Sequence, residues 1–389
     1  MGYKRGSKMK KFYTAAICFL AVFCFGITFH TLNAEAKENI SQGRFGEVQN
    51  KGDLIIGETN PPDMTNVTLA QTNITLYLVP SYSYGKSVYY DNVEFDVAVN
   101  SPVILDEDMD DIYFTCKSSN KNVRVSAELS NNNLHFSLYA DKKCDTNLTI
   151  SIADKKFELH VSVKPVKISA NSLLLPKGKT KKLKISGCKD VITWTSSNKK
   201  IATVSKTGVV KGKKYGNAVI TAKIGSKYIG CAVSVTTQAL KKVCERATFI
   251  GNNWKYSQVK RTKSGYYDCS SLVWRAYMER AGFNFGNSSY PGTSATESAW
   301  CRDNRRMIKG GYSYKKVKKM QINPGDLVFK STNLGDPYRT TYHVEMFTGY
   351  LCLGYDSKGK ANVTSLWASR DPGYSAAEGS LLARPLKYK

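Results

Sequence analysis

The order of apolar and polar positions changes character several times along this chain. Lys4, Arg5, Lys8, Lys10 and Lys11 precede an apolar run from Phe12 to Phe29. Residues 37–64 are polar, contain Pro61-Pro62 and have the pattern of a linker. Beyond them short runs alternate apolar and polar residues, as in Leu148-Thr149-Ile150-Ser151-Ile152 and Ala218-Val219-Ile220-Thr221-Ala222, separated by Gly, Asn, Lys and Ser turns. A period of two puts one face of a strand on a core and the other on solvent, so this stretch is expected to be built as β-sandwiches. From Thr236 the period changes. Ala239, Leu240, Val243, Ala247 and Ile250 mark one face of a helix expected to end at Gly251, and Leu272, Val273, Ala276 and Tyr277 mark a second helix over Cys269 to Ala281. An irregular basic stretch leads to a Pro324-Gly325-Asp326 turn, a strand over Leu327-Val328-Phe329 and an alternating strand over Tyr342 to Gly349.

The β region repeats itself. Ser118-Ser119-Asn120-Lys121-Asn122-Val123 is echoed by Ser196-Ser197-Asn198-Lys199-Lys200-Ile201, and the closing strand Phe157 to Val163 by Tyr228 to Val235. A self-match at both ends of a block means a duplicated module, here 65–164 and 165–236. The second copy resembles the group 2 bacterial immunoglobulin-like domains through Leu175-Pro176-Lys177-Gly178-Lys179-Thr180, Ile192-Thr193-Trp194-Thr195-Ser196-Ser197-Asn198 and Lys206-Thr207-Gly208-Val209-Val210; the first resembles a divergent copy. Aligning the copies sets Cys116 over Trp194 and Cys144 near Tyr215, so a Cys116–Cys144 disulfide is expected where the second copy packs two aromatics. Cys188 and Cys231 are a further candidate pair, with buried free thiols as the alternative. The acidic run Asp106 to Asp111 lacks the Gly turn and spaced bidentate Glu of a calcium loop and is expected to be solvated.

At 389 residues the chain is too long for one compact domain. Its 57 Lys and Arg against 31 Asp and Glu give a formal charge of +26, which calls for a polyanionic partner. The N-terminal pattern, closed by Ala34-Glu35-Ala36, is that of a signal peptide over 1–36, with an uncleaved membrane anchor as the alternative. Export removes nucleic acid as the partner and leaves anionic wall polymers or lipid. It also places the cysteines beyond residue 36 where disulfides are allowed. Basic residues are dense from Lys164 onward, for example Lys179, Lys181, Lys182 and Lys184, then Lys315, Lys316, Lys318 and Lys319.

The chemistry concentrates at Asp268-Cys269-Ser270. A thiol at a helix N-terminus meets backbone N–H groups and the positive end of the macrodipole, both of which favour a thiolate. A nucleophilic Cys needs a base, and of the four His in the chain His343 is the one in the C-terminal region. A single His and the lack of any Cys-x-x-Cys give no metal site, and no cofactor is called for.

Helix, Tyr256, the Asp268-Cys269-Ser270 helix start, Pro324-Gly325-Asp326-Leu327-Val328-Phe329 and His343-Val344 together resemble the NlpC-type cell-wall peptidases over 237–389. The resemblance implies a papain-like α+β fold, so that the whole is expected to be two β-sandwich Ig-like domains followed by a cysteine peptidase domain. It implies cleavage of peptidoglycan stem peptides, typically between D-glutamate and a diamino acid, with Cys269 as nucleophile and His343 as base and acid. By the same resemblance Tyr256 lines the oxyanion site, and Asp268 and Ser270 stand near the free amine of the substrate. Two positions depart from the pattern. Ser271 stands where the family has Gly, and the third catalytic member, usually a His on the following strand, falls at or near Trp367, whose indole only donates. Ser365, Ser369 or a backbone carbonyl are then the candidates for orienting His343. The expected protein is an exported bacterial peptidoglycan hydrolase; the alternatives are a catalytically impaired surface-binding protein that works through its Ig-like modules, or an N-acetylmuramoyl-L-alanine amidase. If charge holds the protein on wall polymers, its sedimentation with purified walls falls steeply as salt is raised past the range where the Debye length drops below about 10 Å.

Overall fold

Alternation along the first block becomes two facing sheets in a computed structural model that describes residues 64–388, except 84–85, 89–90, 107–112, 141, 191, 334, 357 and 370–377. The expected leader over 1–36, the linker up to residue 63 and all of the acidic run after Asp106 lie outside the described residues. One sheet has the order Thr68–Leu69, Asp91–Asn100, Asn133–Ala140, Arg124–Ser130, and the other Asn73–Leu78, Lys155–Pro165, Cys144–Ile152, Phe114–Ser118. Leu134, Phe136 and Leu138 from the first meet Leu148, Ile150, Leu159 and Val161 from the second in one core. Each such side chain contributes roughly 1.5–3 kcal/mol by leaving water.

The second block repeats that wiring. Its larger sheet runs Ser172–Pro176, Lys227–Thr236, Gly216–Ile224, Ile192–Ser196. In both blocks the closing strand lies parallel to the opening one and antiparallel to the strand before it. The repeated Ser-Ser-Asn motif has the same task twice. The Asn120 side chain accepts from the Asn122 amide at 3.0 Å, and the Asn198 side chain accepts from the Lys200 amide at 3.1 Å. Such turns, in which an Asn side chain stands in for backbone, hold the chain as it leaves an edge strand, which is why the motif survives where the rest of the first copy has drifted.

The Cys116–Cys144 disulfide is excluded by register. Cys116 stands opposite Ile150, six residues beyond Cys144 on the same strand, about 20 Å away at ~3.3 Å per residue. Among the described residues no cysteines are joined by a disulfide, Cys188 and Cys231 included. Cys116 is buried in the sandwich core, and that burial pushes its thiol up to about 12.

The C-terminal region begins with α1 (Gln238–Asn253), capped by Thr237, whose hydroxyl accepts from the Leu240 amide at 3.1 Å. The helix buries Leu240, Val243, Cys244, Ala247 and Ile250; Ala239 is exposed and Cys244 takes its expected place. Gly251 does not end it. A Cβ there would lie 2.0 Å from the Ala368 carbonyl oxygen, so the glycine serves a close helix–strand approach, and the helix continues to Asn253. Then come α2 (Cys269–Ala281), α3 (Ser294–Asp303) and the single turn α4 (Tyr314–Lys318). An antiparallel sheet runs Ala361–Trp367, Thr341–Tyr355, Leu327–Ser331, Leu381–Ala383.

Helices α1 and α2 cover one face of this sheet, where Val243 and Val273 meet Phe329, Val344 and Met346. The second sandwich covers part of the other, with Val219 and Ala232 packed among Val328, Phe347, Tyr350 and Cys352. A bulge between Phe347 and Gly349 shifts the side-chain parity, so that Phe347, Tyr350 and Cys352 share this face. Polar groups seal the seam: the Asn217 amide nitrogen lies 2.9 Å from the carbonyl oxygens of both Met320 and Ile322, and the Thr221 and Tyr355 hydroxyls are 2.8 Å apart. A shared core of this kind makes the second sandwich part of the body that carries the C-terminal sheet. Asn217→Ala strands two buried carbonyls and is expected to cost about 1–3 kcal/mol, read as a lower Tm for a single transition reported by probes on both sides of the seam. Deleting 165–236 exposes Val328, Phe347 and Tyr350 and is expected to leave the remaining C-terminal region aggregated, as size-exclusion chromatography would report.

Candidate active site

The helix start is fixed by its own side chains. Asp268 has an extended backbone and caps α2; its Oδ1 accepts from the Ser271 amide at 2.8 Å while the Ser271 hydroxyl accepts from the Asp268 amide at 2.8 Å. This reciprocal pair satisfies two amides that the helix leaves over, and such caps contribute about 1 kcal/mol. It also explains the Ser where the family pattern has Gly: Ser271 is fully buried and half of the cap. Cys269 is thereby held as the first helical residue. Tyr256 is brought alongside by a short parallel pairing, Lys255–Tyr256 with Tyr266–Tyr267, and its ring stands edge-on to Tyr267 at 5.5 Å. Tyr256 is the exposed member of the group at 43%.

Burial sets the state of the thiol. Cys269 is 8% exposed, and desolvation pushes it up to about 11; hydrogen bonds from the backbones of Val344 and Ser270 pull it down, and the charges of Asp268 and Glu297 push it further up. The helix-start amide expected to favour a thiolate is present at Ser270, but the loss of water outweighs it. The resting group is a thiol.

His343 lies near the start of the strand Thr341–Tyr355 and is 3% exposed. The strand residue whose backbone hydrogen-bonds the thiol is Val344, the neighbour of His343, so α2 packs against this strand next to the imidazole's own position in the chain. Glu345 Oε1 is 3.3 Å from His343 Nε2, an ion-pair contact outside hydrogen-bond geometry, and Lys330 Nζ is 3.6 Å from the same oxygen. Lys330 is directly opposite His343 across the strand pair, and Lys330 and Glu345 are only 6% and 5% exposed.

Trp367 does not stand beside His343. It is opposite Phe347, four residues along the strand, or about 13 Å. Its ring packs edge-on to Phe347 at 5.5 Å and its indole donates to Ser365 at 3.0 Å; both Trp367 and Ser365 are half-buried. The Asp of the Pro324-Gly325-Asp326 turn is likewise structural: fully buried, it accepts from Arg384 at 2.7 Å through each oxygen.

Asp268 and Ser270, expected near a substrate amine, both meet Arg261. Its Nε is 3.0 Å from Asp268 Oδ2, and its Nη2 donates to Ser270 Oγ at 3.0 Å, to the Pro291 carbonyl at 3.3 Å and to the Gly292 carbonyl. Beside them lies Glu297 of α3, 1% exposed, with neither carboxyl oxygen hydrogen-bonded among the described residues. Burial pushes it well above the usual carboxylate range, the charge of Asp268 adds to this, and Arg261 opposes it. Arg261, Glu297, Glu345 and Lys330 escaped the sequence reading. For Glu345 a signal existed, since residues two apart on a strand share a face; Arg261 and Lys330 reach the site by turn geometry and strand register, which sequence spacing does not reveal.

Two outcomes follow from this geometry. Arg261→Ala leaves a buried carboxylate at the helix cap without its counter-charge and is expected to cost about 3 kcal/mol or more in chemical denaturation. Iodoacetamide labelling of Cys269 in the folded, substrate-free protein is expected to be slow at neutral pH and to rise as pH approaches about 11, followed by peptide mass spectrometry.

Comparison with known proteins assigns the parts. Residues 251–365 match the NlpC/P60 family, and residues 162–227 match the bacterial Ig-like domain (group 2). No curated protein matches the chain. Among solved structures it is similar to invasin, a bacterial integrin-binding protein, at 15% identity and a TM-score of 0.28, over 44% of this chain and 38% of that one. It is similar to a C-terminal 282-residue fragment of intimin, solved with the intimin-binding domain of the translocated intimin receptor, at 13% identity and a TM-score of 0.26, over 82% of this chain and 99% of that one. It is also similar to domains 5–6 of the S-layer protein SbsC, at 13% identity and a TM-score of 0.19, over 44% and 97%. The chain thus carries a bacterial Ig-like domain (group 2) followed by an NlpC/P60 domain, an order that supports a peptidoglycan-associated peptidase of the cysteine type at a bacterial cell surface or wall.

Proposed function

We propose that this protein is an exported bacterial peptidoglycan hydrolase that cleaves stem-peptide amide bonds with Cys269 as nucleophile and His343 as general base and acid. The observation that carries this is a neutral, buried thiol on a capped helix start, hydrogen-bonded by the backbone next to the one His of the region. The reading divides the chain into a leader over 1–36, a linker over 37–64, Ig-like modules over 65–164 and 165–236, and a papain-like domain over 237–389.

Because the thiol rests protonated, attack and proton transfer must be coupled. His343 takes the Cys269 proton as Sγ adds to the amide carbonyl carbon. The negative charge that builds on the carbonyl oxygen is met by the Cys269 backbone N–H, which as the first amide of the helix has no carbonyl partner within it, with the Tyr256 hydroxyl as second donor. His343 then gives its proton to the leaving amine, a thioester forms on Cys269, and His343 draws a proton from water as it hydrolyses that thioester. No cofactor enters these steps. Asp268 and Ser270 act through Arg261: a substrate amine at that place would face a guanidinium, so the pair shapes the pocket by holding Arg261 and not by binding the amine directly. The Lys-rich surface of the second module and C-terminal domain retains the enzyme on anionic wall polymers.

Digestion of purified peptidoglycan by the wild type, with Cys269→Ala lowering the rate by about 10³-fold or more, is the expected result. Equal and undetectable release by both proteins would sink the enzyme reading and leave a surface-binding protein. Mass spectra of the released fragments separate peptide-bond cleavage from cleavage of the bond between the glycan and L-alanine, which the amidase alternative requires.

A further inference from the structure

We infer that Glu345 is the positioning residue for His343 and that Lys330 is the counter-charge beside Glu345 in its buried place. This rests on the reading of Cys269 and His343 given above, and it supplies the member that Trp367 does not. His343 and Glu345 are two residues apart on one strand, so their side chains leave the same face of the sheet, and Nε2 and Oε1 are 3.3 Å apart. That face is otherwise apolar or aromatic: Phe347 lies next along the strand and Val328 opposite Glu345, with Trp367 on Phe347 and Tyr312 on Trp367. A carboxylate in such a setting takes up a proton unless a cation stands near it. Lys330, across the strand pair from His343 and 3.6 Å from Glu345 Oε1, is that cation.

The arrangement does two things to the imidazole. A carboxylate 3.3 Å from Nε2 favours the tautomer that carries its proton on that nitrogen and has Nδ1 as the basic one; without it the two tautomers compete. The same carboxylate stabilises the imidazolium that forms when the thiol proton is taken.

The test uses the full exported chain in Glu345→Gln, Glu345→Ala and Glu345→Asp forms. Expected for Glu345→Gln is a loss of about 10²–10⁴-fold in kcat with KM within about threefold, and partial recovery in Glu345→Asp. A Tm near that of wild type shows that the isosteric Gln variant is folded, should the Ala variant fail to fold. Independently of turnover, ¹⁵N NMR of histidine-labelled protein is expected to show His343 as the Nε2–H tautomer in wild type and as a mixture in Glu345→Gln. A kcat within about threefold of wild type in Glu345→Gln, with the tautomer unchanged, overturns the assignment. Should wild type hydrolyse nothing while the tautomer still depends on Glu345, the positioning role stands and the hydrolase reading falls.

Discussion

One strand, Thr341–Tyr355, carries the architecture because both of its faces are covered by different parts of the chain. Val344 and Met346 meet α1 and α2 on one side, while Phe347, Tyr350 and Cys352 meet the second sandwich on the other. A sheet buried on both faces cannot keep its shape if either layer leaves, because each exposes a continuous apolar surface. The start of that strand holds His343 and Glu345, and the backbone between them reaches the thiol of Cys269. The site is therefore only as rigid as the packing of the sandwich and helices around this strand. The second Ig-like block is tied into this packing and is more than a tethered spacer.

Water exclusion then decides the electrostatics. Cys269, His343, Glu345, Lys330, Asp268 and Glu297 are each less than a tenth exposed. In such surroundings a charge persists only beside a partner, and an unpartnered acid takes up its proton. Asp268 has Arg261 and the helix cap, and Glu345 has Lys330. Cys269 and Glu297 lack a balancing cation of their own and shift toward their neutral forms. The helix-terminus field acts on the thiol, but its gain is smaller than the cost of removing a thiolate from water.

Much of this was legible in the residues alone. Period-two alternation and the Ser-Ser-Asn echo located the β blocks, since strand parity and Asn-turn chemistry are local. The helical stripe at Leu240, Val243, Ala247 and Ile250 and the Asp-Cys-Ser start of α2 are local in the same sense. What sequence could not determine were the relations set by register and layer packing. The Cys116–Cys144 pairing failed because strand pairing puts Ile150 opposite Cys116. Gly251 looked like a stop and is a contact, because its role depends on the Ala368 carbonyl far along the chain. Trp367 held the aligned place of a third member, yet pairing opposite Phe347 set it against that ring, while Lys330 arrived opposite His343 through the register of two strands. Sequence by itself determined which residue types could do the chemistry, since that is a matter of side-chain composition and near-neighbour geometry. The tertiary structure alone decided their ionisation and their partners, because both depend on how much water is removed and on which distant charges replace it.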